Sequence, residues 1–416
     1  PATSPTAFPR PSTLDPQRTL DPQPTSYGRP FWYTYLANTS LMLAVSLLYR
    51  YADFVTHLGG TEFNLGLIVG VGMGGSLLMR LVQGNGIDRY GPRQVWIWSI
   101  LLFIASCVGH LWVTRVDTLA VFVLRTMLST SMAGAFGAAI TYISLKSPVV
   151  RLAEVLGTLG TSGFVGMVAG TWIGDLLLGR ELITRSDLNR MFLVAAALGC
   201  LGLVFAILAT AGATTPARRR RPAMWPLLQR YHPGAIMIVG IATGFGVGLP
   251  TTFLRTFAAN LGIARIGVFF AVYAPVAFLT RICMRRLPEK IGVRPTALAG
   301  LVSMTFSILL FLVVQREWQL AIPATFMGIA HAMLFPSVVA GGSSVFPGRY
   351  RGLGTTLMLA TFDLGNLVGA PIAGKLVDYT GSYPVMFIVV AGIMASVAVL
   401  FACSRRGVNR PGERRL

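Results

Sequence analysis

The sequence predicts an all-helical membrane protein in which twelve transmembrane helices form two six-helix halves. Three observations support this fold class. Of the 416 residues, 54% are hydrophobic and only 12% are charged, whereas soluble domains usually carry about 25% charged residues. Apolar runs of roughly 20 residues, each long enough to cross a bilayer core about 30 Å thick, recur along the chain. A polar motif also occurs twice, about half a chain apart.

The breaks in hydropathy define twelve segments. The first six are 31–54, 61–83, 94–114, 118–145, 153–178 and 191–212, and the second six are 234–258, 265–285, 295–314, 318–341, 353–378 and 383–403. Residues 1–30 are proline-rich and polar, which predicts a disordered tail, and no cleaved signal peptide is expected before segment 1. The predicted domains are the tail 1–30, the halves 31–212 and 234–403, the basic linker 213–233 and the basic tail 404–416.

The positive charges that give a net charge of +20 are concentrated on one predicted side of the membrane. Arginines concentrate in alternate connections, which contain "RYGPR", "ARRRRP", "MRRLPEKIGVR" and "GRYR", and in the C-terminal tail. Excess Lys and Arg mark the cytoplasmic side, so both termini are expected in the cytoplasm, beneath a bacterial-type inner membrane. Contact with anionic lipid accounts for these loops, and no nucleic-acid partner is expected.

The sequence offers no catalytic or metal-binding pattern. The four cysteines fall in four different segments without metal-ligand or redox spacing, and we expect them to be apolar core residues. A phosphate-binding loop of the kind found in ATP-driven pumps is absent from the sequence. Neither an enzyme nor a cofactor or metal is therefore expected. The cysteines are Cys107, Cys200, Cys283 and Cys403.

The repeated motif is "RLVQGNGIDRYGPR" (80–93) and "RICMRRLPEKIGVR" (281–294). The copies have equal length and align Asp88 with Glu289. Glycines suit a tight turn, and an acid there can pair with arginines and with a helix N-terminus of the other half. A contact that forms only when the cytoplasmic side is closed biases the conformational equilibrium; a plain solvated loop is the alternative. The candidate gating residues are Gly84, Asp88, Arg89, Gly91, Arg93, Glu289 and Lys290.

This loop resembles the signature between helices 2 and 3 of the major facilitator superfamily, Gly-x-x-x-Asp-Arg-x-Gly-Arg-Arg, with Pro92 departing from the usual arginine. The stretch "GIAHAMLFPSVVAGG", with the residues that follow it, resembles helices 10 to 12 of bacterial sugar-efflux and multidrug exporters. The resemblance covers nearly all of the chain after the tail. It implies a monomeric transporter that exports a small organic solute in exchange for protons, with one half rocking against the other.

Segment 5, "GTLGTSGFVGMVAGTWIGD", resembles the antiporter motif of that superfamily, although Thr171 replaces its proline and Asp175 its final glycine. Glycines four residues apart make a smooth face for close helix packing. This pattern predicts that segment 5 presses on a helix of the other half; ordinary helix packing is the alternative. The predicted packing residues are Gly157, Gly166, Gly170 and Gly174.

Ionisable side chains inside membrane segments are candidate functional groups, because a charge there is costly. Asp363, about 15 Å into segment 11, is predicted to carry the coupling proton, unless it is the fixed partner of an arginine in the other half. His331 is the second candidate, or a substrate ligand. Arg125, about 10 Å from the outer end of segment 4, stands where related drug exporters place a buried arginine. Arg50 and Asp53 on segment 1 form an outer ion pair or contact substrate.

The sequence therefore predicts a proton-coupled exporter whose partners are a small-molecule substrate, protons and membrane lipids. A proton-independent facilitator or nutrient symporter is the alternative within transport, and the missing segment-5 proline would suit it. A non-transporting membrane sensor is the alternative from another class. A sensor would tend to lose its cavity charges, whereas this chain keeps Arg125, His331 and Asp363.

Overall fold

The structure is a computed structural model, and it describes residues 27–148, 151–179, 183–212, 230–284 and 290–404. Most residues of the predicted tails and linker lie outside these ranges, so the domain boundaries stay a prediction. The N-terminal half contains α1 (Arg29–Leu47), α2 (Tyr51–His57), α3 (Glu62–Gly109), α4 (Leu119–Lys146), α5 (Leu152–Leu178) and α6 (Arg185–Ala209). The C-terminal half contains α7 (Ile236–Asn260), α8 (Gly267–Cys283), α9 (Val293–Leu310), α10 (Ala321–Ser343), α11 (Arg351–Thr380) and α12 (Tyr383–Cys403).

The predicted all-helical membrane fold is confirmed. Ten helical stretches of the described chain are long and apolar enough to cross a membrane, and α3 contributes two of them, Glu62–Gln83 and Arg89–Trp112. Helix α8 is a shorter apolar helix. Helices α1 and α2, separated by a 3-10 turn at Leu48–Arg50, together match predicted segment 1. Helices α4 to α12 match segments 4 to 12.

The two copies of the repeated motif share one backbone geometry. Gly91 has φ 81° and ψ 158° and divides α3 into its two crossings. Gly292, which the repeat aligns with Gly91, has φ 95° and ψ 159° just before α9. This backbone region is open essentially only to glycine. Both turns therefore depend on glycine, and the sequence repeat is also a structural repeat.

The two faces of the bundle are distinguished by the chain ends. Helix α1 begins at Arg29 and α12 ends at Cys403 on one face, here called the termini face; α2 and α7 end on the opposite, distal face. The halves pack together mainly where α3 meets α11 and α5 meets α8. At the first of these contacts a Cβ on Gly70 would lie 2.7 Å from the carbonyl oxygen of Leu367. Glycine therefore lets the backbones approach closely across the interface.

The glycine face of α5 packs mainly against α1 of its own half, which is the alternative of ordinary helix packing, whereas α5 contacts α8 of the other half through other residues. A Cβ on Gly166 or Gly170 would lie 2.6 Å or 2.4 Å from an atom of α1. One on Gly174 would lie 3.3 Å from the side chain of Arg50, and one on Gly157 has no neighbour within 4 Å. The physical reason is that this glycine groove admits the backbone of α1, and other residues of α5 face α8.

Candidate functional site

A largely apolar cavity lies between the two halves. It consists of two adjoining chambers of about 190 and 240 Å³, which share Met73, Thr251 and Asn366 in their walls. Arg125 lines the first chamber, and Asp363 lines the second. Both halves thus contribute residues to a cavity at the repeat interface, where transporters of this design bind their substrates.

Arg125 is the cationic side chain of the first chamber. Its guanidinium Cζ lies 4.6 Å from the centroid of the Tyr51 ring, and within the described chain it forms no ion pair. Its Nε is buried without a hydrogen-bond partner, and so is the hydroxyl of Ser129. Ser129 is four residues further along α4 and therefore lies on the same helix face. The chamber therefore contains two polar groups that have no hydrogen-bond partner and lie on the same helix face.

Tyr51 is held in place by a chain of hydrogen bonds between buried polar groups. Its hydroxyl lies 3.2 Å from Nε2 of His110, and Nδ1 of that ring lies 2.7 Å from the carbonyl oxygen of Ser106. Because a carbonyl only accepts, Nδ1 is assigned the proton and Nε2 accepts from Tyr51. Tyr51 thereby holds a fixed position beneath Arg125. Sequence analysis did not predict this hydrogen-bonded chain.

Asp363 is paired with an arginine of the other half. Its carboxylate lies 2.5 Å from Nε of Arg80 on α3, and it accepts a hydrogen bond of 2.8 Å from the hydroxyl of Ser76. The sequence offered this pairing as the alternative for Asp363. Arg80 lies only three residues before the end of predicted segment 2 (61–83), but a long arginine side chain can carry its charge well away from its Cα.

His331 lies in the wall of the second chamber, where it shares a hydrogen bond with the hydroxyl of Tyr273. The nearby Arg281, which the repeat aligns with Arg80, has no carboxylate partner in the described chain. Its guanidinium instead lies 5.7 Å from the ring centroids of both Phe164 and Phe335. These rings come from opposite halves, so a cation–π contact occurs at this copy of the repeat where an ion pair occurs at the other.

Four charged side chains form a cluster near the distal face. Arg50 lies 2.7 Å from Asp53 and 3.0 Å from Asp175 on α5, while Arg255 on α7 lies 2.8 Å from Asp53. Arg50 also donates to the carbonyl oxygen of Ala264 in the other half, at 3.3 Å. Two positive charges balance two negative ones, and the cluster joins the halves. The Arg50–Asp53 ion pair is thus part of a larger set.

Two carboxylates at the distal face each cap a helix of the opposite half. Asp175, near the end of α5, accepts from the N–H groups of Ile266 and Gly267 at 3.0 and 2.6 Å, where α8 begins. Asp378, near the end of α11, accepts from the first two N–H groups of α3 at 3.1 and 3.0 Å. The repeat relates these two contacts, which we call the cross-half caps. A helix N-terminus offers unpaired N–H groups and a favourable dipole to such an anion.

Glu62 adds a further contact between the halves at the distal face. Its carboxylate accepts hydrogen bonds from the hydroxyls of Thr256 on α7, at 3.0 Å, and Tyr383 on α12, at 2.8 Å. Together, this contact, the four-charge cluster and the cross-half caps are called the distal seal. Sequence reasoning predicted the Arg50–Asp53 ion pair and missed the rest of the seal. For the cross-half caps the signal was that Asp175 replaces a motif glycine.

Among the predicted gating residues whose side chains the structure describes, Arg89, Arg93 and Lys290 form no hydrogen bond or ion pair with the other half. Arg89, Arg93 and Lys290 are exposed. Gly91 shapes the turn between the two crossings of α3. The side chain of Asp88 and the surroundings of Gly84 lie outside the described residues, as does the whole of Glu289, so the predicted pairing of Asp88 stays a prediction.

Comparison with known proteins identifies relatives along nearly the whole chain. The family model of the Major Facilitator Superfamily matches residues 31–263 and 236–415. Multidrug resistance protein MdtG of Escherichia fergusonii is 24% identical over 388 residues, which cover 86% of this chain and 89% of that protein. MdtG of Salmonella paratyphi C is 22% identical over 387 residues, covering 88% of this chain and 91% of that protein.

Solved structures share the fold at low sequence identity. The crystal structure of the nucleoside transporter NupG matches with a TM-score of 0.74 at 15% identity, covering 90% of this chain and 98% of that chain. An auto-inhibited POT family peptide transporter matches with a TM-score of 0.74 at 11% identity, covering 94% and 99%. At these identities the likeness concerns the fold alone.

Proposed function

Because the chain belongs to the Major Facilitator Superfamily and is therefore a multi-pass membrane transporter, we propose that it exports a small organic solute in exchange for protons. The observation that carries this proposal is the cavity between the halves, which holds Arg125, His331 and Asp363 and is closed on the distal side by the distal seal. A cavity closed on one side corresponds to one state of an alternating-access cycle. The similarity to MdtG multidrug proteins favours export.

The direction of export depends on which face is cytoplasmic. The arginine-rich connections "RYGPR" and "GRYR" belong to the termini face, and the positive-inside rule places such loops in the cytoplasm. We infer that both termini are cytoplasmic and that the distal seal faces the outside of an inner membrane. The described state is then closed toward the outside, ready to receive solute from within.

The contacts of the distal seal stabilise only the state in which the distal face is closed. Its contacts join Asp53, Asp175 and Glu62 of the N-terminal half to the C-terminal half, and they break when the distal ends separate. A contact present in one state stabilises that state by its full differential free energy. Solute binding must offset this contribution for the outward-open state to form.

Asp363 is placed to alternate during the cycle between an ion pair with Arg80 and a protonated form. In the described state the Arg80 guanidinium compensates the carboxylate charge at 2.5 Å. The two residues belong to opposite halves, and we infer that the rocking motion separates them. A desolvated carboxylate without its partner favours the protonated form. Asp363 would therefore take up a proton when the cavity faces outward and release it when Arg80 returns. This order corresponds to exchange of an outgoing solute for an incoming proton.

The test of the proposal is flux in proteoliposomes with an imposed pH gradient, screened against a panel of organic solutes. Proton-coupled export predicts that at least one solute accumulates against its gradient when the proton gradient is applied, and that it does not accumulate without one. Equal downhill flux with and without the gradient would indicate a facilitator instead. No flux of any solute, with intact purified protein, would favour the sensor.

Asp88→Asn is expected to reduce turnover by about tenfold while leaving solute affinity unchanged. The reason is that an acid at this turn pairs with the other half only when the termini face closes, so it affects the conformational equilibrium and not the cavity. The measurement compares maximal flux with solute binding, and Asp117→Asn, an exposed acid on the distal side, is the matched control. Parallel losses of affinity and turnover would contradict the gating role.

A further inference from the structure

We propose that the first chamber binds an anionic oxygen group of the transported solute, with Arg125 and Ser129 as its ligands. The inference rests on the proposed transport function and adds a substrate class to it. The solute would be a compact organic anion, such as a carboxylate or sulfonate, with an apolar body.

The charge balance of the cavity supports an anion. Asp363 in the second chamber is neutralised by Arg80, whereas Arg125 forms no ion pair in the described chain. The Tyr51 ring offers only the negative face of a quadrupole, which stabilises a cation without cancelling its charge. A partly buried guanidinium without a counter-ion is costly. An anionic solute would supply the missing charge.

The geometry supplies donors suited to an oxyanion. Arg125 Nε and Ser129 Oγ are both unpartnered and lie on one face of α4, and a guanidinium presents parallel N–H groups that match two anion oxygens. Gly72 on α3 gives these side chains room, because a Cβ there would lie 2.8 Å from Cγ of Arg125 and 3.1 Å from Oγ of Ser129. The Tyr51 ring, whose hydroxyl is hydrogen-bonded to His110, lies 4.6 Å from the guanidinium Cζ and lines the same chamber.

The other residues that line the first chamber indicate the chemical character of the rest of the solute. Apolar side chains, several of them methionines, surround the chamber, and methionine adapts to bodies of different shape. Thr251 and Asn366 contribute a hydroxyl and an amide from the C-terminal half. A bound solute would therefore contact both halves, as a transported molecule must. The apolar lining residues include Met42, Val45, Leu65, Val69, Met73, Leu128 and Met132.

The test uses three probes that share a phenylpropyl body and differ in head group, namely 3-phenylpropane-1-sulfonate, 4-phenylbutyramide and 3-phenylpropyltrimethylammonium. Binding to the purified full-length protein is measured by calorimetry. We expect the sulfonate to bind about tenfold more tightly than the amide and the ammonium. Arg125→Gln should remove this preference, and Arg125→Lys should restore it only in part, because an ammonium lacks the planar fork of donors. Arg316→Gln, at an exposed position outside the cavity, is the matched control.

Three results would overturn the anion site: tighter binding of the ammonium, equal sulfonate affinity of Arg125→Gln and the wild type, or no difference among the probes, including no binding of any of them. The same protein in proteoliposomes separates this inference from the transport proposal. Preferential sulfonate binding without gradient-driven flux of any solute would refute export and retain the site. Gradient-driven flux that Arg125→Gln leaves intact would retain export and refute the site.

Discussion

The double variant Asp175→Asn with Asp378→Asn is expected to open the distal face and to abolish concentrative transport. Each carboxylate accepts two backbone N–H bonds from a helix of the other half. A charge at a helix N-terminus contributes about 0.3–1 kcal/mol, and up to about 2 kcal/mol when partly buried. Asp175 is partly buried and Asp378 is exposed. Since about 1.4 kcal/mol corresponds to tenfold, loss of both caps should shift the equilibrium by about tenfold. Asp175 also loses its ion pair with Arg50.

The measurement is the labelling rate of Thr251→Cys, a cavity position, by a membrane-impermeant maleimide added to the distal side, in a background without the four native cysteines. We expect about tenfold faster labelling in the double variant. Asp117→Asn is the control, because it removes one carboxylate charge from an exposed position away from the interface. The Arg115 guanidinium, hydrogen-bonded to this carboxyl, lowers its pKa, so the group is charged before the substitution. Unchanged labelling in the double variant would show that the caps do not hold the distal face.

Asp363→Asn is expected to abolish accumulation driven by the pH gradient while permitting downhill exchange. The amide mimics the protonated acid and cannot release a proton, so flux continues without coupling. The variant also leaves Arg80 without its partner at 2.5 Å. Removal of one member of a fully buried pair costs about 3–5 kcal/mol, and the cost here is smaller because the Arg80 side chain is 23% exposed. Part of the loss could therefore reflect a less stable protein, which a second variant must separate from coupling.

The double variant Arg80→Gln with Asp363→Asn separates the two effects. It removes the uncompensated guanidinium, so thermal stability and exchange should recover relative to Asp363→Asn, whereas gradient-driven accumulation should remain absent. Solute flux in proteoliposomes with and without the gradient is the measurement. Recovery of accumulation in the double variant would mean that the pair is only structural, and His331 or Asp53 would then be the next candidates for the proton carrier.

The fold could be predicted from the sequence because the length of an apolar run is a local property. Predicted segment 12 coincides with α12, Tyr383–Cys403, and predicted segment 5 begins one residue after α5. The turn at Gly91 could also be predicted, since its motif is repeated at Gly292. The packing partner of α5 could not, because glycine spacing specifies a smooth helix face without specifying which helix lies against it.

The charged residues of the candidate site could be predicted from the sequence, but the residues with which they interact could not. Arg125 and Asp363 stand out in sequence because ionisable residues are rare in apolar segments. The partner of each depends on how helices distant in the chain turn toward one another. Arg80 lies 283 residues before Asp363, and nothing local links them. Asp175 stood out only as a departure from a glycine motif, and its function as a cap requires knowing that α8 begins beside it.

The most direct test of alternating access with a distal seal is a pair of spin-label distances on the reconstituted protein. One pair, His57 and Asn260, spans the distal face, and the other, Lys146 and Ser344, spans the termini face; all four positions are exposed. Loss of the cross-half caps should lengthen the distal distance and shorten the termini-face distance together, relative to the wild type. A distal distance that stays the same in the wild type and the Asp175→Asn, Asp378→Asn variant would contradict the account.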